Sequence, residues 1–120
     1  MAKIRHLAIV TSDQQKLAHF YKTAFGMKEV RGIGPALYLS DGYMNLALID
    51  VNSPGLNLKE GLYHFGIEVD GIEPLREALT AMGTASKLEP RPKNRDAEFR
   101  VHDPDGNPID ISRPNHPWPI

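Results

Sequence analysis

An internal repeat is the feature that most constrains how this chain can fold. His6 and His64 each open a segment with the same order of predicted elements, and they lie 58 residues apart. Leu17 and Leu75 each follow their histidine by 11 residues. An Asp-Gly pair, a frequent hairpin turn, comes later in both segments. Such self-similarity indicates two copies of one supersecondary unit, packed so that each covers apolar surface of the other.

The first copy predicts a strand, a helix and three more strands. Ser12 and Gln15 form the S-x-x-Q pattern of a helix N-cap, and Gly26 suits the end of that helix. The apolar residues that recur with helical period are Leu17, Phe20, Tyr21 and Ala24. The strands are predicted at about 4–10, 28–33, 36–40 and 44–50.

The second copy repeats this order. Pro74 suits the first turn of its helix and Gly83 the end. The predicted strands are about 62–69, 85–88, 97–102 and 108–112. The prediction is one domain over 1–120, with module one at about 1–50, a connector at 51–61, module two at about 62–112 and a Pro-rich tail at 113–120.

The composition excludes several classes of protein. Hydrophobic residues make up 41% of the 120 residues, too many for a disordered chain. The formal net charge is −1, so the basic excess typical of nucleic-acid binding is missing. No apolar run approaches the roughly 20 residues of a membrane helix. There is no cysteine, which excludes thiolate and iron–sulfur sites, and no signal peptide is visible, so we expect a cytoplasmic protein.

Strand alternation places the candidate metal ligands on one face. Side chains in a strand alternate between two faces, so His6 lies opposite Leu7, which we expect under a helix. The same rule puts His64 and Asp110 on the face of His6. Two imidazoles and a carboxylate can hold a divalent ion while leaving positions open for substrate. Spacing alone leaves open that each histidine is only structural.

Four motifs resemble those of the vicinal-oxygen-chelate superfamily. They are I-R-H-L-A-I at 4–9, F-Y at 20–21 with F-G at 25–26, Y-H-F-G-I at 63–67 and D-P-D-G-N-P-I-D at 103–110. The superfamily includes glyoxalase I, extradiol dioxygenases, fosfomycin-resistance enzymes, methylmalonyl-CoA epimerase and bleomycin-binding proteins. The resemblance extends over nearly the whole chain.

The resemblance implies a fold and a cofactor. The implied fold is α+β, with two tandem β-α-β-β-β modules whose curved mixed sheets enclose a cavity, in a homodimer. His6 and His64 match two metal-ligand positions, and Asp110 stands where the family usually has glutamate. Ala47 stands where glyoxalase I has a fourth ligand, which favours a three-ligand site. The implied cofactor is a divalent ion: iron, manganese, zinc or nickel.

Four other residues are candidates for binding and catalysis. Glu68 shares the predicted face of His64 and is a candidate general base; the alternative is an exposed charge at a strand end. Tyr38, Asn45 and Arg100 are candidates for substrate binding. For Tyr38 the alternative is packing, and for Arg100 it is an internal ion pair.

Two further segments have open interpretations. Arg91, Lys93 and Arg95 form a small basic loop, interpreted as solvated, with a substrate-phosphate contact as the alternative. Trp118, in the tail, is expected to cover the cavity or to dock on a partner subunit.

The leading functional hypothesis is a metal-dependent enzyme whose small-molecule substrate chelates the ion through two adjacent oxygens. Dioxygenase-like chemistry is preferred slightly over lyase or isomerase chemistry, because three ligands leave an open face. The alternative is a metal-free protein that binds and sequesters a small molecule, such as an antibiotic. Neither hypothesis involves nucleic acid or a membrane.

Overall fold

Each half of the chain forms a strand, a helix and three further strands. The computed structural model describes all 120 residues. In the first half the elements are β1 (Lys3–Thr11), α1 (Gln14–Phe25), β2 (Lys28–Val30), β3 (Leu37–Ser40) and β4 (Asn45–Asp50). In the second half they are β5 (Gly61–Glu68), α2 (Ile72–Met82), β6 (Glu89–Pro90), β7 (Phe99–His102) and β8 (Pro108–Ser112). The predicted α+β fold with two β-α-β-β-β modules is confirmed. Neither helix has the length and apolar character needed to cross a membrane.

The two modules share one eight-stranded mixed sheet in the order β2-β3-β4-β1-β5-β8-β7-β6, which is not closed into a barrel. The modules meet where β1 and β5 pair antiparallel, and each of these strands has the last strand of its own module as a parallel partner. Gly66 of β5 lies in register with His6 on one side and Asp110 on the other. The topology therefore brings the predicted metal ligands onto three adjacent strands.

The helices cover one face of the sheet. Ala18 of α1 packs against the fully buried sheet residues Leu39 and Leu48. Leu75 and Leu79 of α2 pack against buried sheet residues that include Val101 and Ile111. These clusters confirm the prediction for most of the bulky apolar strand residues, whereas Leu7, which was expected under a helix, is 37% exposed and belongs to neither cluster.

The opposite face of module one is less polar than predicted. Ala8, Val10, Ala47 and Ile49 form a buried cluster there with Tyr38. Connector residues, among them Leu56 and Leu58, pack against this cluster. Because the connector covers the face, the sheet of module one is buried on both sides, and apolar residues are favoured on both.

Three local predictions need correction. The N-cap of α1 is Asp13 rather than Ser12, since the Asp13 carboxylate accepts a hydrogen bond from the Lys16 backbone N–H at 3.0 Å. Phe20, expected on the buried stripe of α1, is 52% exposed. The strand predicted at 85–88 is instead the two-residue β6, whose Pro90 suits the edge of the sheet.

A glycine lets the central strands approach the candidate site closely. A Cβ atom added to Gly66 would lie 2.9 Å from the His6 Cβ and 3.2 Å from the Trp118 ring. We expect Gly66→Ala to lower the free energy of unfolding by about 1–3 kcal/mol, because the added methyl group overpacks this contact. Leu62→Ala, on the same strand but at a 79% exposed position, should change it by less than about 0.5 kcal/mol.

Urea unfolding of both variants checks this expectation. Equal stability of Gly66→Ala and the unmodified protein would contradict the close packing of Gly66 against His6.

Candidate metal centre

His6, His64 and Asp110 meet on one face of the sheet. The Nε2 atoms of His6 and His64 are 2.9 Å apart, and the His64 Nε2 lies 3.1 Å from the Asp110 Oδ2. One potential ligand atom from each of the three residues lies within 4.8 Å of the others. His6 and Asp110 are buried and His64 is half-buried, so the cluster is shielded from bulk water.

Asn45 of β4 orients the ring of His6. The His6 Nδ1 is 2.5 Å from the Asn45 Oδ1. Because a carboxamide oxygen can only accept, His6 Nδ1–H is the donor, and the His6 Nε2 keeps its lone pair toward His64. Burial, and then the neighbouring His64, lower the pKa of His6 to about 4. The His6 imidazole is therefore neutral at pH 7.

Arg100 of β7 holds the outer oxygen of Asp110. The Arg100 Nε donates to the Asp110 Oδ1 at 2.7 Å, while the Asp110 Oδ2 faces His64. Burial favours the protonated carboxyl, but His64 and Arg100 outweigh it and hold the pKa of Asp110 well below its usual range. Asp110 is therefore a carboxylate at neutral pH.

This donor set fits a divalent ion. Ligands in neighbouring positions around an octahedral ion, with bonds of about 2.1 Å, are about 3.0 Å apart. The His6–His64 and His64–Asp110 separations, 2.9 and 3.1 Å, are close to this value. Asn45 behind His6 and Arg100 behind Asp110 are also the kind of outer hydrogen-bonding partners that orient ligands in metal sites.

A cavity of about 80 Å³ opens beside the cluster. Side chains from both modules, the connector and the tail line it, and the apolar and aromatic ones include Tyr38, Ala47, Ile49, Leu56, Tyr63 and Trp118. The volume is below the roughly 300 Å³ at the lower end of typical ligand pockets, which favours a small ligand.

Comparison with known proteins places the chain in a family. The model of the Glyoxalase/Bleomycin resistance protein/Dioxygenase superfamily matches residues 3–111. The chain belongs to this superfamily. No curated protein sequence matches the chain significantly.

Solved structures share the fold at low sequence identity. A hypothetical protein from Bacillus halodurans C-125 has a TM-score of 0.70 and 20% identity, over 93% of this chain and 94% of that one. Methylmalonyl-CoA epimerase from Mycobacterium tuberculosis has a TM-score of 0.67 and 14% identity, over 92% and 87%. The 2,3-dioxygenase LapB from Pseudomonas sp. KL28 has a TM-score of 0.68 and 18% identity, over 92% of this chain and 40% of that one. The superfamily fold is thus shared by an epimerase and a dioxygenase.

The structure places the predicted substrate-binding residues around the same cavity. Tyr38, Asn45 and Arg100 all line it. Burial, and then Asp96, raise the pKa of Tyr38, so its hydroxyl stays protonated. Asn45 is turned toward His6, and Arg100 donates to the Tyr63 hydroxyl at 3.1 Å as well as to Asp110. Arg100 therefore forms an internal ion pair, the alternative considered for it, but with the candidate ligand Asp110. Asn45 positions His6, which the sequence did not indicate.

Glu68 lies away from the cavity. Its carboxylate accepts a hydrogen bond from the Arg5 Nη1 at 2.8 Å, and it is not among the cavity-lining residues. A register shift between Ile4 and His6 interrupts the alternation of β1 beside Arg5. The predicted position of Glu68 beside the metal ligands is therefore corrected, and we assign it no part in the proposed chemistry.

The tail and the basic loop also contribute residues to the cavity. Trp118 is buried and its ring lies 6.3 Å from that of His6, between centroids, so it covers the cavity within its own chain. Arg91 and Arg95 line the cavity, whereas Lys93 between them is exposed.

The lowered pKa of His6 predicts how stability depends on pH. In the metal-free protein, the unfolded chain protonates His6 near pH 6.5 and the folded chain only near pH 4. The unfolded state therefore binds more protons between these values. Because of this difference in proton binding, the free energy of unfolding falls by up to about 3 kcal/mol as the pH is lowered from 6.5 to 4.

Urea unfolding in EDTA at several pH values measures this dependence. His6→Gln should show a flatter slope in this window, and His19→Gln, at an exposed position on α1, should keep the original slope. A slope unchanged in His6→Gln would contradict the assignment.

Proposed function

We propose that the protein is a divalent-metal-dependent enzyme acting on a small molecule that binds the ion through two adjacent oxygens. The observation that carries the proposal is the spacing of the three donors. The His6–His64 and His64–Asp110 separations of 2.9 and 3.1 Å suit neighbouring ligands of one ion, all three atoms lie within 4.8 Å of one another, and a cavity adjoins them.

The residues of the chain have separate tasks in this proposal. The Nε2 atoms of His6 and His64 and the Oδ2 of Asp110 would hold the ion, and Asn45 and Arg100 keep two of these ligands oriented. A bound ion supplies a Lewis acid that stabilises negative charge on a substrate oxygen, or, if it is iron, a centre for oxygen chemistry. Trp118 limits the access of water to the cluster.

Dioxygenase-like chemistry remains slightly preferred over lyase or isomerase chemistry. Two histidines and one carboxylate with open positions are the ligand set of non-haem iron oxygenases. The fold is shared with both a 2,3-dioxygenase and an epimerase, so it does not choose between these reactions. The homodimer, which sedimentation velocity would test, and the cytoplasmic location stay predictions.

One observation favours a metal-free binding protein as the second candidate. Arg100 already neutralises Asp110, and its Nη2 lies 3.5 Å from the His64 Nδ1. The polar contacts of the cluster are therefore largely satisfied within the chain. In this case the same cavity would sequester a small molecule, such as an antibiotic, without turnover.

Metal content separates the two candidates. Protein purified without an affinity tag, and reconstituted anaerobically with iron, manganese, zinc or nickel, should bind close to one ion per chain. We expect Asp110→Asn to bind it at least about tenfold more weakly, because the anionic ligand is lost. Glu68→Gln removes an equal charge away from the cavity and should bind as the unmodified protein does.

Mass spectrometry measures the metal content of each variant, and circular dichroism checks that each variant is folded. Bound iron would direct the substrate search to catechols, with oxygen uptake as the assay, and the other ions to lyase and epimerase substrates. Absence of binding for all four ions in the folded protein would contradict the enzyme proposal and favour the binding protein.

A further inference from the structure

Arg91 contributes an unpaired positive charge to the wall of the cavity. It follows β6, lines the cavity and is half-buried. Its Nε is fully buried and has no hydrogen-bond partner, and Arg91 forms no ion pair with a carboxylate. A buried donor without an acceptor is unfavourable, and most such groups in folded proteins have a partner. The Arg91 side chain therefore has no acceptor within the chain, and it lines a cavity in which a ligand could supply one.

Two acidic residues near Arg91, Glu98 and Asp110, are engaged elsewhere. The Arg91 backbone N–H donates to the Glu98 carbonyl at 2.9 Å, so Glu98 is its neighbour across the strand pair. The Glu98 carboxylate, however, is held by the side chain and the backbone N–H of Arg113. Asp110 is held by Arg100 and His64. Neither carboxylate is left for Arg91.

Other donors in the cavity lack acceptors or have weak ones. The Arg95 side chain lines the cavity, and its hydrogen bond within the chain is a long one, 3.4 Å, to the Asn94 carbonyl. The Asn45 Nδ2 and the Trp118 Nε1 are buried without a partner. Three arginines line the cavity against two aspartates, Asp96 and Asp110. The cavity therefore has an excess of donors and positive charge, which an anionic ligand rich in acceptor oxygens would complement.

We propose that Arg91 binds a carboxylate of the cavity's ligand, which is therefore a small organic acid with an apolar body. A guanidinium can donate two parallel hydrogen bonds to a carboxylate, which fixes the orientation of the ligand. The small volume and the apolar and aromatic walls leave room for a compact apolar body beside that group. The inference deepens the proposed function by naming the substrate class, but it does not require a bound metal.

Trp118 provides a direct readout of binding. It is the only tryptophan of the chain, and it lines the cavity. Its fluorescence is measured while EDTA-treated protein is titrated with benzoate or with benzamide at constant ionic strength. The two probes have nearly the same shape and differ in charge. We expect benzoate to bind at least about tenfold more tightly than benzamide, because only benzoate pairs with Arg91.

Variants of the basic loop assign the preference to one residue. Arg91→Gln should remove the preference for benzoate, and Arg91→Lys should retain only part of it, because a lysine offers no fork of donors. Lys93→Gln removes the same charge from an exposed position of the same loop and should leave the preference intact. Because the Arg91 side chain forms no bond within the chain, we expect Arg91→Gln to fold, which its thermal unfolding checks.

Each contrary result has a distinct meaning. Equal binding of the two probes by the unmodified protein, no binding of either, or an unchanged preference in Arg91→Gln would overturn the proposal. Tighter Arg91-dependent binding of phenyl phosphate than of benzoate would overturn the assignment to a carboxylate and indicate a phosphate ligand.

Metal content, measured on metal-reconstituted portions of the same preparations that were not treated with EDTA, separates this inference from the enzyme proposal. If the protein binds metal but does not prefer benzoate, only the role proposed for Arg91 is overturned. If the protein binds no metal but shows the Arg91-dependent preference for benzoate, only the enzyme proposal is overturned.

Discussion

The antiparallel pairing of β1 with β5 is the contact on which the rest of the structure depends. It joins the two modules into one sheet and brings His6 of the first module to within 2.9 Å of His64 of the second. Gly66 makes this approach possible, because no side chain lies between the rings of His6 and Trp118 and the backbone of β5. Neither module alone could form the cluster, so the candidate site exists only through the repeat.

Much of the fold follows from local sequence chemistry. The repeat and the helix-ending glycines predicted the order of elements, and both Gly26 and Gly83 adopt the left-handed conformation that favours glycine. Alternation placed His6, His64 and Asp110 on one face. The choice between Ser12 and Asp13 as N-cap was harder, because both residue types are good caps one position apart.

The partners of the charged residues could not be predicted from the sequence. Glu68 pairs with Arg5 because β1 has an irregular register there, and a one-residue shift changes which side chains meet. Glu98 pairs with Arg113 of the tail, which leaves Arg91 without an acid. Such pairings depend on long-range packing, whereas composition and periodicity report only on local structure.

The charges of the cavity would suit the two kinds of ligand proposed for it. Neutral His6 and ionised Asp110 offer lone pairs to a cation, and the arginines offer donors to an anion. Arg100 connects the two, because it binds the Asp110 oxygen that faces away from His64. Since the same fold is found in an epimerase and a dioxygenase, such side chains, and not the backbone, must determine the reaction.

A crystal structure of the metal-reconstituted protein, with anomalous scattering recorded at the absorption edge of the ion, tests the central claim most directly. The account predicts one ordered ion bonded to the Nε2 atoms of His6 and His64 and to the Oδ2 of Asp110, with Arg100 still on the Oδ1. An ion bound to other residues, or no anomalous peak while the His64–Asp110 contact persists, would contradict it.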